Sequence, residues 1–121
     1  LLFVVLGGLS LSSATAQTKA LDSLQNTLKT AKSDTAKITL LLRLAEETQG
    51  TPATSRQHAE AAYELANARG DKAREAESLN WIASSHNQQG SYPEARTAAQ
   101  KALGLAERIN DKRGLATAYN N

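Results

Sequence analysis

"GDKAREAESLNW", Gly70 to Trp81, returns forty residues later as "NDKRGLATAYNN", Asn110 to Asn121. Whether that echo is chance in an Ala-rich chain or one structural unit copied decides the fold. Sliding the chain by 40 over positions 56 to 81 gives nine identities in 26, including Arg56 with Arg96, Ala59 with Ala99, Ala62 with Ala102, Leu65 with Leu105, Asp71 with Asp111 and Asn80 with Asn120. The matches respect helix faces. Gly70 is exchanged for Asn110, and these two residue types accept the left-handed backbone of a helix C-terminal cap at little steric cost. At a shift of 38, Thr35–Thr48 falls on Ala73–His86, pairing Leu41 with Leu79, Leu44 with Ile82 and Ala45 with Ala83. The unit is therefore a helix pair, present twice and begun a third time.

Working outward, apolar residues recur at helical spacing. Leu21, Leu24 and Leu28 make one stripe, Ile38, Leu41, Leu42 and Ala45 a second, and Ala59, Ala62, Tyr63 and Ala66 a third. No stretch alternates with the period of a strand. Breakers at Lys32–Thr35, Gln49–Pro52, Gly70-Asp71, Gln89–Glu94 and Asn110-Asp111 predict six helices, over 18–32, 35–48, 52–69, 72–89, 92–109 and 112 onward. Thr51 precedes a proline suited to the first helical position, and Ser91 with Glu94 has the spacing of a capping box.

Composition narrows the class. The 121 residues allow one domain, and five aromatics among many alanines call for a core of small side chains, which closely packed helices provide. Fourteen basic and twelve acidic residues are spread evenly, so no run of like charge can track a phosphate backbone, and no nucleic-acid partner is expected. With no cysteine there is no disulfide framework and no thiolate nucleophile.

At the N-terminus, the apolar run Leu1–Leu11 is followed by Ala14-Thr15-Ala16, the small-x-small pattern that signal peptidase reads before Gln17. Residues 1–16 are expected to be a signal peptide, placing 17–121 outside the cytoplasm. The competing reading is a clipped membrane anchor, since the run is short of the roughly 20 apolar residues that a spanning helix needs. The sequence has no Met and stops within a helical pattern, so a truncated fragment of marginal stability is expected.

The stretch "LNWIASSHNQQGSYPEARTAAQKAL" resembles the tetratricopeptide repeat family. The matching positions are Leu79, Ile82, Ala83, His86, Gly90, Tyr92, Ala95, Ala99 and Ala102. Leu79 and His86 stand where the family usually has aromatics, and Pro52 lies where the first copy should have its glycine turn. The resemblance covers about residues 18–121. It implies an all-α fold, an α-solenoid of antiparallel helix pairs wound as a right-handed superhelix. The roughly 40-residue repeat looks like the exported N-terminal region of bacterial sensor histidine kinases, where a membrane span and an output domain follow.

Chemistry is sparse. His58 and His86 lack metal-ligand spacing, no phosphate loop occurs, and Ser84, Ser85 and His86 diverge around a helix, so no metal, cofactor or catalytic site is expected. Glu46, Glu47, Glu75 and Glu77 read as solvated partners of Arg43 and Arg74, and Trp81 as a packing residue. In repeats of the resembled type the first helix of each pair lines a concave surface. That implies a peptide-binding face made of Glu77, Asn80, Ser84, Asn87, Gln88, Thr117 and Asn120. Asn80 and Asn120, in equal phase, form either an amide ladder for a peptide backbone or hydrogen bonds between repeats. The expected function is protein or peptide binding without catalysis, as the sensory or scaffold part of a larger signalling protein. A free periplasmic scaffold and the N-terminal region of an enzyme are the alternatives.

Overall fold

In the computed structural model the backbone is described for residues 2–120 and the side chains for residues 15–110. Five helices follow one another, α1 (Leu2–Thr30), α2 (Asp34–Glu47), α3 (Pro52–Arg69), α4 (Lys72–Gln88) and α5 (Tyr92–Asn120). The fold is all-α.

Local chemistry sets most of the boundaries. Ser33 caps α2, its Oγ accepting from the Ala36 N–H at 3.1 Å. Asp71 caps α4 by accepting from the Arg74 N–H at 3.2 Å, and the Arg74 guanidinium also donates to it at 2.9 Å. That side-chain hydrogen bond holds the Asp71 carboxyl below its usual pKa. Pro52 opens α3 as expected, although the Thr51 side chain makes no capping bond. Gly70 and Gly90, with φ of 69° and 77°, end α3 and α4 in the left-handed region. In both turns the next N–H reaches back five residues, Asp71 to the Ala66 carbonyl and Ser91 to that of His86. This arrangement satisfies carbonyls that a helix end otherwise leaves unpaired.

Three expectations are corrected. The first helix begins at Leu2 rather than at 18, so the junction between residues 16 and 17 lies inside α1. Ser91 contributes main-chain bonds, its carbonyl accepting from Ala95, in place of a side-chain capping box. The break at Asn110-Asp111 is also missing. α5 continues through it to Asn120, and among the described residues only glycines have positive φ. Asn tolerates the left-handed cap but does not enforce it, and each further helical residue adds a main-chain hydrogen bond.

Consecutive helices run antiparallel. Between α2 and α3, Asp34 pairs with Arg69 at 3.5 Å at one end, while the Ser55 Oγ donates to the Ala45 carbonyl at 2.7 Å near the other. Each helix packs on its neighbours in sequence, and α2 also touches α4. No other pair of helices is in contact among the described residues. The pattern is an open series, unlike a bundle in which the first helix returns to the last.

Two apolar clusters hold the series. Ile38, Leu41 and Leu42 of α2 meet Ala62 and Ala66 of α3, with Leu28 of α1 at the edge. Ala45 and Ala59 join Leu79, Ile82 and Ala83 of α4 and Ala98 and Ala102 of α5. Ala59, Ala62 and Ala66 are fully buried, and such small residues let α2 and α4 approach α3 closely from two sides. Trp81 packs against both clusters, as its expected packing role requires.

Candidate cleft between α2 and α4

Where α2 and α4 meet, a cleft of about 200 Å³ opens, lined by Thr39, Leu42, Arg43 and Glu46 from α2 and Arg74, Glu77 and Trp81 from α4. Both sets follow helical spacing, so one face of each helix supplies its wall. Arg74 is committed to Asp71. No ion pair or side-chain hydrogen bond among the described residues engages Arg43, Glu46 or Glu77. The cleft thus joins a half-buried indole to a cation and two carboxylates that remain open to an incoming group. It can offer an apolar surface, a donor fork and two acceptors side by side.

A larger cleft, about 250 Å³, lies between α3, α4 and α5 and is lined by Tyr63, Glu75, Leu79, Lys101, Gly104, Leu105 and Arg108. The carboxylate of Glu75, expected to be solvated, is buried there and pairs with Lys72 at 3.3 Å. Lys101 and Arg108 on the facing helix add positive charge around it, so the cleft reads as the neutralised surroundings of a buried acid. The α2–α4 cleft is the better binding candidate because it sets Arg43, Glu46 and Glu77, none of them in an ion pair among the described residues, beside the half-buried Trp81.

Of the expected face, Glu77 lines the α2–α4 cleft. Asn80, Asn87 and Gln88 are exposed on α4, and Ser84 is half-buried. Thr117 and Asn120 lie in the last turns of α5, and their side chains are outside the described residues. The proposed amide ladder of Asn80 with Asn120 therefore lies partly outside the described residues.

The α2 wall was missed. The signal for it was the shift of 38, which carries Glu77, Asn80, Trp81 and Ser84 onto Thr39, Leu42, Arg43 and Glu46, four residues that all line the cleft. The histidines take structural places. Arg56 of α3 reaches both the His86 ring nitrogen Nδ1, at 3.4 Å, and the Gln89 side-chain oxygen. Burial pushes the His58 pKa below its ordinary value of 6.5. Among the described residues no group of acidic and imidazole side chains could hold a metal, and no helix is long and apolar enough to cross a membrane.

Comparison of the chain with protein-family models, with curated proteins and with solved structures finds no match.

Proposed function

We propose that this chain is a stretch of α-solenoid built from tetratricopeptide-like helix pairs with a right-handed superhelical sense, and that it binds a protein or peptide segment in the α2–α4 cleft. The observation that carries the reading is the cleft itself. It forms where the first helices of two successive pairs meet, and it holds Trp81 beside the uncommitted Arg43, Glu46 and Glu77. The open series of contacts and the two sequence shifts support the solenoid, since stacked repeats touch only their neighbours. The module itself is not an enzyme. The apolar run Leu1–Leu11 and the Ala-x-Ala site support export, which fits the extracytoplasmic part of a bacterial signalling protein. Mass spectrometry of the protein exported by a bacterial host should find Gln17 at its N-terminus, and an intact Leu1 would remove the signal-peptide reading.

Trp81 is the only tryptophan, so it reports on the cleft without labelling. Peptides selected from a displayed random library against the chain should shift its emission on binding. Arg43→Glu should weaken those peptides by at least tenfold while leaving the thermal midpoint in place. Peptides that bind with neither response would place recognition elsewhere.

A further inference from the structure

The larger cleft carries more positive charge than its buried acid requires. α3 and α5 do not touch, so α4 separates them and supplies the floor with Glu75 and Leu79. Neutralising the buried Glu75 takes one cation, and Lys72 supplies it, its Nζ donating to Oε2 at 3.3 Å. Lys101 and Arg108 line the α5 side in addition, and neither is in an ion pair among the described residues. Three cations against one carboxylate leave a surplus of positive charge on that side.

Gly104, on the same wall, is the second anomaly. It stands inside α5, where glycine costs about 1 kcal/mol relative to alanine. It makes no turn, since the positive φ values belong to Gly70 and Gly90, and a Cβ on it would meet nothing within 4 Å. Neither backbone conformation nor the close approach of another helix asks for it. Because Gly104 lines the cleft, however, a side chain there would take up the cleft's volume. Lys101, Gly104 and Arg108 share one face of α5 by their spacing, and the two cations stand about 10 Å apart along the axis with the bare glycine between them.

We propose that this cleft binds a small organic dianion, two carboxylates joined by a short apolar chain. Its volume of about 250 Å³ equals that of about eight waters, which leaves room for a chain of about six carbons with its end groups. Arg108 takes one carboxylate on two parallel N–H donors, and Lys101 takes the other as a point charge. The chain between them lies against Leu79, Leu105 and the bare backbone at Gly104, and the Tyr63 hydroxyl is a further donor. Glu75 on the floor repels an anion that enters deeply, which keeps both carboxylates at the α5 rim. The site uses a different face of α4 from the α2–α4 cleft, so it is independent of peptide binding there.

Titration of the isotope-labelled 121-residue chain with adipate, followed by nuclear magnetic resonance, tests this. The amide signals of Leu79, Gly104 and Leu105 should move saturably at millimolar adipate. Hexanoate, which has one carboxylate, should bind about tenfold more weakly, the loss of one charge-assisted contact. Lys101→Gln and Arg108→Gln should each weaken adipate by about tenfold as well, and both side chains are exposed, so the fold does not depend on them. Gly104→Leu fills the cleft with a good helix former, so adipate binding should be lost while the thermal midpoint holds or rises. Glutarate, adipate and suberate all leaving these signals unmoved would overturn the proposal. So would hexanoate matching adipate, glutamine variants of undiminished affinity, or adipate binding that survives Gly104→Leu. A lowered midpoint in Gly104→Leu would show that packing requires the glycine, and would overturn it too.

Discussion

Replacing Ser55 with alanine should destabilise the protein far more than one lost hydroxyl on a helix suggests. Ser55 is 2% exposed, and its Oγ donates to the Ala45 carbonyl at 2.7 Å. That carbonyl sits in the last turn of α2, where main-chain acceptors run out of helical partners. Its normal donor, the Gln49 N–H, goes instead to the Glu46 carbonyl at 3.3 Å. Ser55 therefore satisfies a buried acceptor that has no main-chain donor from beyond the helix.

The second helix pair supplies the control. Ala95 takes the place of Ser55, and the carbonyl ten residues before it, that of Ser85, already accepts from the Gln89 N–H at 3.2 Å. The turn there has three residues between helices, 89–91, where the first has four, 48–51. The extra residue misdirects Gln49, and the serine compensates. Leaving a buried acceptor unpaired costs about 1–3 kcal/mol, so Ser55→Ala should lose about 1.5 kcal/mol, which is roughly 6 °C in Tm for a chain of this size. Ala95→Ser should lose only about 0.5 kcal/mol, from helix propensity. Urea unfolding followed by far-ultraviolet circular dichroism measures both, and an unchanged slope would show that only stability moved. Equal, small losses in the two variants would mean that the Ala45 carbonyl finds another donor, and the argument would fail.

Two further outcomes follow from the turns. Asp71 has a lowered pKa in the folded state, so its contribution is present above the ordinary value of 3.8 and is lost as pH falls through the lower folded value. Asp71→Asn keeps a capping oxygen but does not titrate; its stability deficit relative to the parent at neutral pH should shrink in acid melts below pH 3.8, and a constant deficit would contradict the Arg74 contact as its cause. At Gly90 a Cβ would meet nothing within 4 Å, so Gly90→Ala pays only for positive φ, about 1 kcal/mol, and Gly90→Asn clearly less. Equal losses for the two, read from thermal midpoints, would show that the cost is not conformational.

The legible parts of the fold are those decided locally. The junctions near Ser33, Thr51, Gly70 and Gly90 could be read because each end is set by a cap, a proline or a left-handed glycine within a few residues. The continuity of α5 could not be read, because Asn110 is compatible with both a left-handed cap and a helix. Glu75 was misread for a related reason: its spacing from charged neighbours is the same whether or not α5 covers it. Of the residues lining the α2–α4 cleft, Glu77 is named from the sequence because the second pair matches the resembled pattern well. Thr39, Arg43 and Glu46 were missed because Pro52 and the longer turn obscure the first pair, the same irregularity that makes Ser55 necessary.

The α2–α4 cleft exists because α3 is narrow on two sides at once. Its alanines at 59, 62 and 66 are fully buried, so α2 and α4 come near enough to touch and to share Trp81. α5 carries alanines at the matching positions, yet Ala102 is buried while Ala99 is exposed, since only α4 lies against that helix. A second cleft of the same kind therefore requires a helix on the far side of α5.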